Sequence, residues 1–456
     1  MKLTWIALLL FLLVHPSRSE EGPPECEWVF TCGGADSDKV RAIACDGDGN
    51  VFLASECGGD TTFGGQARRG AGGVDMVVVK VDSSGKAVWV NGLGGSKTER
   101  AYGASLDGAG NLYITGHYES TDIPSGAGFL PNAGSYDVFL AKYSADGRLL
   151  WVRTAGGPGY DYGHGLLLDR NGDVIVTGAV KEGAVFGKEA IAGTAGGGNA
   201  IFCAKYGPDG ELKWLRSSSE VSGSGHGIAV DGANHLYIGG SVAGKGRFGK
   251  VEIAAPTQAA LVLKLTPEGE ALWASVIPGS HGAVYHEIAC DSSGRVWGAG
   301  MFKGAVSVAG ETFESSGEKD YDGLIVRLDP SGAVRWAHTM HGPGTDYCLG
   351  VATDESGKGY VCGDFSADTR LAGKALATRG SGDVYLAAFD EAGALLWSLT
   401  AGGKNNDSAY PLVFRGRDEI YIGGSLSLPS TFGRHELGGA SASDLYVAKW
   451  RLPAAP

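Results

Sequence analysis

Three histidines at one repeat register are the residues of this chain whose type and spacing could do chemistry. His164, His226 and His286 follow one another at intervals of roughly 60 residues, and each precedes an aspartate by five positions. Neutral imidazoles that converge on one point are ligands for a transition metal. The pattern therefore predicts a site for a single divalent metal, and the alternative is that the three rings only pack against their neighbours.

Acidic residues stand three positions before this register in five of the repeats. They are Asp38, Glu99, Asp161, Asp346 and Asp407. If equivalent positions of the repeats form a ring, these carboxylates gather near the histidines. Asp161 or Glu99 would then be the acid–base group beside a metal-bound water.

The elements that must position these residues recur with a nearly constant period. Tryptophans mark it, and they are Trp28, Trp89, Trp151, Trp214, Trp273, Trp336 and Trp397. A fixed period of this size is typical of a repeat architecture, and we expect each tryptophan to pack one repeat on the next. The unit that begins at His164 predicts strands at 164–168, Val174–Val180, Ala200–Tyr206 and 212–216, separated by turns containing Asp and Gly. Four antiparallel strands repeated seven times predict an all-β, seven-bladed β-propeller.

The two ends of the chain predict how the ring closes. The last unit lacks a fourth strand, and an unpartnered strand around Trp28 begins the chain. We expect this N-terminal strand to complete the last blade and leave no exposed sheet edge. The predicted organisation is a signal peptide at 1–19, a short tether at 20–25, one propeller at 26–452 and a tail at 453–456.

The first residues have the pattern of a secretory signal. Lys2 precedes an apolar run at 5–14, and the small residues Ser17 and Ser19 flank Arg18. This pattern predicts cleavage near Ser19 and a secreted or cell-surface protein. The apolar run is too short to span a bilayer, so we expect no transmembrane segment in the mature chain.

Charge and cysteine content limit the partners and the chemistry. The formal net charge of −13 argues against a nucleic-acid surface, which would carry a basic stripe. Eight cysteines in an exported chain permit disulfides, and Cys348 and Cys362 are the favoured pair because they fall on adjacent predicted strands. The sequence contains no G-x-S-x-G, H-E-x-x-H, Walker A or C-x-x-C motif.

Several passages resemble the SBBP β-propeller repeat family. They are DVFLAKYSADGRLLWVRTAGG at 137–157, YDYGHGLLLDRNGDVIVTG at 160–178 and the Phe186-Gly187 pair, with weaker copies over 28–450. The resemblance implies a propeller fold and an exported bacterial protein of surface or extracellular type. The family has no common catalytic residues, so none is carried over.

Together these features predict an exported, non-enzymatic binding scaffold that holds a protein or glycan ligand at one propeller face. The connections at 121–136 and 302–320 would supply contacts, since loops on rigid scaffolds usually do so. This function needs no cofactor. One alternative is a metal-dependent hydrolase or lyase at the channel mouth, with the metal on the three histidines. The other is a structural surface or extracellular matrix module that self-associates.

Overall fold

The computed structural model describes residues 22–125, 128–317, 320–439 and 443–453. Within these ranges the chain is β-structure joined by turns and loops, with a single 3₁₀ turn at Ala195–Gly197. The predicted all-β class is therefore confirmed for the described residues. The predicted signal peptide at 1–19 and the end of the predicted tail, 454–456, lie outside them.

Four-stranded antiparallel sheets recur along the chain, and each is built from strands that are consecutive apart from short hairpins. The first strand of each sheet is called its inner strand. The inner strands are Asp38–Cys45, Glu99–Leu106, Tyr162–Leu168, Ser222–Val230, Ala283–Cys290, Gly350–Thr353 and Ser408–Arg415. The second strands are Val51–Gly58, Leu112–Tyr118, Val174–Val180, Leu236–Phe248, Val296–Phe302, Gly359–Phe365 and Glu419–Leu426. The third strands are Val74–Val81, Asp137–Tyr143, Ala200–Tyr206, Val251–Leu265, Asp322–Leu328, Asp383–Phe389 and Asp444–Arg451. The fourth strands are Ala87–Leu93, Leu149–Gly156, Leu212–Ser219, Ala271–Pro278, Val334–His341, Leu395–Gly403 and Glu25–Cys32.

The second and third strands form the core, because the sheets pack face to face and cover both sides of these strands. Every residue of Val174–Val180 and of Ala200–Tyr206 is buried. Such strands have nearly continuous apolar sequences instead of alternating ones. The fourth strands have exposed positions, as expected at the outer edge of a sheet.

In six of the sheets the turn between the first and second strands is held by an aspartate at the end of the inner strand, and in the seventh Arg415 has that position. Asp46 Oδ1 accepts hydrogen bonds from the backbone N–H groups of Asp48 and Asn50, at 3.0 and 2.9 Å. Asp107, Asp169, Asp231, Asp291 and Asp354 make the same contact with the residue two positions on. A side chain that caps its own turn explains why this aspartate recurs.

Tryptophans of the fourth strands pack on the neighbouring sheet, as predicted. Trp89 donates a hydrogen bond from Nε1 to the carbonyl of Ala145, at 3.1 Å, and its ring covers Gly147. A Cβ at Gly147 would lie 2.7 Å from that ring, so the turn glycine makes the close approach possible. Trp28 and Trp336 bond to the next turn in the same way.

Glu25–Cys32 pairs antiparallel with Asp444–Arg451, so the two ends of the chain share one sheet. Trp28 lies opposite Lys449, and Cys32 lies opposite Leu445. Each inner strand also contacts the inner strand of the next sheet, and Ser408–Arg415 contacts Asp38–Cys45. Repeated four-stranded antiparallel sheets with their first strands gathered together have the architecture of a β-propeller.

Short hairpins lie between the second and third strands, and those at 185–190, 369–376 and 430–437 pair with the fourth strand of the previous sheet. Their strand pairs are Thr61–Phe63 with Gln66–Arg68, Pro124–Ser125 with Gly128–Phe129, Val185–Phe186 with Glu189–Ala190, Ala305–Val308 with Glu311–Glu314, Thr369–Leu371 with Lys374–Leu376, and Ser430–Phe432 with His435–Leu437. In the sheet of Ser222–Val230 the second and third strands are themselves long enough to form the hairpin. Phe186 pairs with Ala155 on the fourth strand of the previous sheet.

The predicted Cys348–Cys362 disulfide is wrong. All eight cysteines lie in the described ranges and have free thiols. Cys348 precedes the inner strand Gly350–Thr353, and Gly350 is the residue that lies opposite Cys362. The Cys348 sulfur instead accepts a hydrogen bond from the Tyr385 hydroxyl, at 3.0 Å.

Candidate functional site

The inner strands surround a cavity of about 170 Å³, called the central cavity. One residue from each inner strand, or from the turn that leads into it, lines this cavity. These residues are Arg41, Tyr102, His164, His226, His286, Leu349 and Tyr410. They occupy the repeat register that the sequence singles out, so its members do meet at one place. In six of the seven inner strands this register coincides with a β-bulge, so its residue lies outside the regular pairing with the second strand and can face the cavity.

The three predicted histidines are neighbours in the central cavity. The rings of His164 and His226 are stacked, with centroids 4.7 Å apart and an interplanar angle of 18°. His286 meets His226 edge-on, at 5.5 Å. All three side chains are half-buried. Tyr102 and Tyr410 extend the row at its two ends, with centroids 4.5 Å from His164 and 6.3 Å from His286.

Burial keeps these imidazoles neutral at physiological pH. Removal from water lowers the pKa of His226 to about 4. Burial, with the nearby His226 and Arg41, lowers the pKa of His286 to about 3. The same causes hold the pKa of His164 well below its ordinary value. Each ring therefore offers one N–H donor and one acceptor nitrogen.

The metal hypothesis depends on where the ring nitrogens point. Stacked rings have their faces together, whereas ligands of one ion direct nitrogen lone pairs at a common point. Among the described residues, no group of three or more His, Cys, Asp or Glu side chains has an arrangement that could hold a metal ion. The single-metal site on His164, His226 and His286 stays a prediction.

The five acids that precede the register do not line the central cavity. Asp161 is fully buried and accepts hydrogen bonds from the backbone N–H groups of Gly157 and Lys181, at 2.8 and 2.7 Å. Glu99 accepts one from Gly95, and Asp407 accepts one from Gly403. These carboxylates hold the loops that enter and leave the sheets. Asp161 and Glu99 thus have structural partners in place of the acid–base role considered for them.

Burial raises the pKa of most of these anchoring acids. The pKa of Asp38 is raised to about 6, that of Asp407 to about 6 and that of Asp346 to about 7. Desolvation is the largest cause in each case, and hydrogen bonds from backbone or side-chain donors oppose it. A carboxylate that accepts several hydrogen bonds can stay inside a fold at this cost.

A cluster of cations lies beside the central cavity. Comparison of equivalent positions in the repeats does not predict it. Arg41 donates from Nη2 to Glu56 Oε1, at 2.7 Å, and Arg100 Nε lies 2.9 Å from the other Glu56 oxygen. Two guanidinium groups therefore share one carboxylate. Lys39 donates to the Tyr410 hydroxyl, at 3.2 Å, and has no carboxylate within 4.0 Å among the described residues. Burial and the nearby Arg41 lower the pKa of Lys39 to about 8.

Alternation along one strand could have found this cluster. Lys39 and Arg41 are two residues apart on Asp38–Cys45 and so share a face. Their counterparts in other repeats are mostly uncharged, so comparison of equivalent positions does not single them out. Glu56 comes from a second strand, and only the fold brings it to Arg41.

A second cavity, of about 390 Å³, adjoins the central one. His286, Leu349 and Tyr410 line both spaces. The second cavity adds Gln258, Met301, Tyr321 and Tyr347 to its wall. The Tyr321 ring, which is 37% exposed, lies 6.4 Å from the Tyr347 ring, so aromatic surface extends from the cavity to solvent.

Aromatic side chains also continue outward on the other side of the central cavity. His117 contacts Tyr102 and Tyr136, with centroids 5.4 and 4.8 Å apart. Tyr136 lies 5.5 Å from Tyr160, which is 49% exposed. We call the whole set the aromatic row. It consists of Tyr160, Tyr136, Tyr162, His117, Tyr102, His164, His226, His286 and Tyr410.

In the described part of the chain, no helix has the length and the apolar character of a bilayer span.

Comparison with known proteins gives remote likenesses. No family model matches the chain. It is 23% identical over 368 residues to an uncharacterised WD repeat-containing protein of Acanthamoeba polyphaga mimivirus, an alignment that covers 63% of this chain. The chain spans only 26% of the length of that relative.

Solved structures give likenesses of the same kind. Sqt1 from Chaetomium thermophilum has a TM-score of 0.41 at 11% identity, over 94% of this chain and 99% of that one. The Pan2 WD40 domain of Neurospora crassa has a TM-score of 0.37 at 11% identity, over 78% and 90%. A protein of unknown function from Bacteroides caccae has a TM-score of 0.37 at 12% identity, over 71% and 89%. No function is transferred from any of them.

Proposed function

We propose that this protein is an exported, non-enzymatic binding scaffold, built as a closed seven-bladed β-propeller, that holds a glycan at the face carrying the aromatic row. The aromatic row is the observation that carries the proposal. Export rests on the signal pattern of Lys2 and the apolar run at 5–14. The likeness to SBBP repeats is in keeping with a surface or extracellular location.

Closure of the ring is supported by two sets of contacts. Consecutive inner strands touch, and the last inner strand touches the first. The fourth strand of the final sheet, Glu25–Cys32, comes from the other end of the chain. A ring locked in this way is a rigid frame, and rigid frames suit surfaces that must present several side chains in fixed positions.

The aromatic row suits a sugar better than a catalytic reaction. Tyrosine and imidazole rings present flat apolar faces beside polar atoms, and a pyranose ring likewise has an apolar face and polar edges. The acids next to the register are bonded to loop backbone, as Asp161 is to Gly157 and Lys181. That leaves the surface rich in stacking faces and hydrogen-bond donors.

Binding to an oligosaccharide array tests the proposal, with fluorescence or calorimetric titration of each hit. We expect at least one glycan to bind, and Tyr160→Ala to weaken its binding about 5-fold, because an aromatic contact contributes about 1 kcal/mol. Leu150→Ala is the matched control, since Leu150 is 47% exposed but lies on a fourth strand and outside the aromatic row.

Two results would contradict the proposal. One is the absence of binding to every glycan by protein that is folded. The other is an equal effect of Tyr160→Ala and Leu150→Ala on the affinity. Concentration-dependent self-association in sedimentation, without glycan binding, would favour the structural module instead.

A further inference from the structure

We infer that the glycan bound here is acidic, and that the two adjoining cavities divide one uronic acid residue between them. The carboxylate would lie in the central cavity against Arg41, and the sugar ring would lie in the second cavity against its tyrosines. This inference rests on the proposed function and specifies its ligand.

Positive charge lies beside the central cavity. Arg41, Arg100 and Lys39 carry three positive charges, and Glu56 supplies one negative charge to the two arginines. The carboxyl of Asp364 acts on Lys39, and burial raises its pKa to about 7. This local excess occurs in a chain whose formal net charge is −13, so it is not a general property of the surface. A positively charged concave site in an acidic protein favours an anionic ligand.

Part of the Arg41 guanidinium group has no hydrogen-bond partner. Its Nη2 donates to Glu56 and the group lies beside the rings of Tyr102 and Tyr410, but its Nε is buried with no partner among the described residues. A guanidinium group has five N–H donors in a planar fork, which suits the two oxygens of a carboxylate. Arg41 lines the central cavity, where part of that fork can meet a ligand.

Other hydrogen-bond donors lie near Arg41 in the central cavity. The Tyr410 hydroxyl accepts a hydrogen bond from Lys39, which leaves its own proton free to be donated elsewhere. Tyr410 also lines the central cavity, opposite His164 and His226. The neutral imidazoles each provide one N–H. A carboxylate oxygen that enters this space therefore meets several donors at once.

Glu287 separates a carboxylate from a phosphate monoester, because it also lines the central cavity. A group that brings two negative charges is repelled by this carboxyl more strongly than a group that brings one. A single negative charge also matches the small cationic excess. The central cavity, at about 170 Å³, is also the smaller of the two spaces.

The second cavity has the size and the walls to hold a sugar ring. The second cavity, at about 390 Å³, presents the rings of Tyr321, Tyr347 and Tyr410 together with the amide of Gln258. Aromatic faces with a few polar groups are the usual walls of a small-ligand site. His286 and Leu349 lie at the junction, so a carboxylate and its ring can occupy the two cavities simultaneously.

The experiment uses the folded mature protein and pairs of trisaccharides of galacturonate, mannuronate, guluronate and glucuronate. Each acid is compared with its carboxyl-reduced counterpart, which keeps the stereochemistry and loses the charge. Calorimetric titration should give at least one uronate that binds about 10-fold or more tightly than its reduced form, as expected for a charge-assisted bidentate contact. Arg41→Met should abolish that preference, so that the acid and its reduced form bind with similar affinity.

Control variants keep the test decisive. Tyr160→Ala should weaken the acid and the reduced sugar by the same factor. If Arg41→Met does not fold, Lys39→Met takes its place, since Lys39 is half-buried and makes a single hydrogen bond, to Tyr410. A preference for the uronate that survives both Arg41→Met and Lys39→Met would overturn the inference.

The outcomes also separate this inference from the proposed function. Equal binding of an acid and its reduced form overturns the carboxylate inference and leaves glycan binding intact. Binding of sodium acetate without binding of any trisaccharide leaves an anion site but overturns the glycan function. No binding of either kind overturns both.

Discussion

Folding lowers the pKa of His226, because the inner strands bury its ring in the middle of the row of three. Burial lowers its pKa to about 4 and, with His226 and Arg41 nearby, that of His286 to about 3. In the unfolded chain both would titrate near the ordinary value of about 6.5. Below that pH the unfolded chain binds protons that the folded protein does not bind. These histidines therefore lower the free energy of unfolding as the pH falls.

A triple variant, His164→Gln, His226→Gln and His286→Gln, should remove this pH dependence. The free energy of unfolding of the variant minus that of the parent protein should increase between pH 7.5 and pH 5 by about 2 kcal/mol for each histidine replaced. Urea denaturation of both proteins at the two pH values measures the difference. The buried acids are the same in both proteins and cancel. A difference that is the same at both pH values would mean that the rings titrate normally.

At the residue scale the sequence predicts that side chains of one repeat register lie together. It does not predict all the other residues that they contact. The register of His164, His226 and His286 follows from the repeat, and the fold does bring the three together. Glu56, the partner of Arg41, comes from another strand, and Lys39 occurs in a single repeat, so no periodic pattern predicts either residue. The role of Asp161 also depends on loop backbone, whose course is not set by residue type.

At the scale of elements, a turn explains the recurrent Phe-Gly pairs. Phe63, Phe186, Phe248 and Phe432 are buried at the end of a hairpin strand. The glycine that follows each one has a positive φ, between 54° and 60°. A hairpin turn of this kind needs the left-handed conformation, which glycine adopts without strain. Two hairpins depart from the pattern and place Ala309 and Ala372 there, with φ of 52° and 47°.

This difference between the hairpins predicts opposite changes in the free energy of unfolding for two substitutions. Ala372→Gly should raise the free energy of unfolding by about 0.5–1 kcal/mol, since a non-glycine residue in the left-handed region costs about 1–2 kcal/mol and glycine loses part of that in chain entropy. Gly187→Ala, at the equivalent turn, should lower it by a similar amount. Chemical denaturation measures both. Changes of the same sign in the two variants would contradict the explanation.

Strand positions were largely predictable, whereas pairing between sheets was not. Val174–Val180 and Ala200–Tyr206 occur as the sequence predicts, because apolar runs bounded by Asp-Gly turns are local signals. The fourth strand of that unit continues to Ser219, beyond the predicted 216. There Ser218 and Ser219 pair with the next hairpin, at Phe248 and Arg247. Such a contact depends on residues far along the chain, which no local pattern reveals.

The N-terminal strand gives a prediction that concerns the whole sheet it completes. Removal of residues 25–32 would leave the edge of Asp444–Arg451 unpaired, although seven of its eight residues are buried. We expect the melting temperature to fall by at least about 10 °C. In a domain of moderate size a loss of 1 kcal/mol lowers it by about 2–4 °C, and the loss of a whole strand should cost several times that energy. Removal of 22–24, which precede the strand, is the control and should change little. Unchanged thermal unfolding without the strand would contradict closure by this element.

For the molecule as a whole, metal content distinguishes a scaffold from a metalloenzyme. The scaffold needs no ion, and the stacking of His164 on His226, at 4.7 Å and 18°, turns ring faces and not nitrogen lone pairs toward each other. We therefore expect elemental analysis of the purified mature protein to give well under one equivalent of zinc or manganese, with the same value for the triple glutamine variant. One equivalent in the parent protein that the variant loses would instead mean that the imidazoles rotate to share an ion. Because a metal-bound water would then stand in a cavity beside Glu287, the hydrolase or lyase alternative would replace the scaffold as the leading hypothesis.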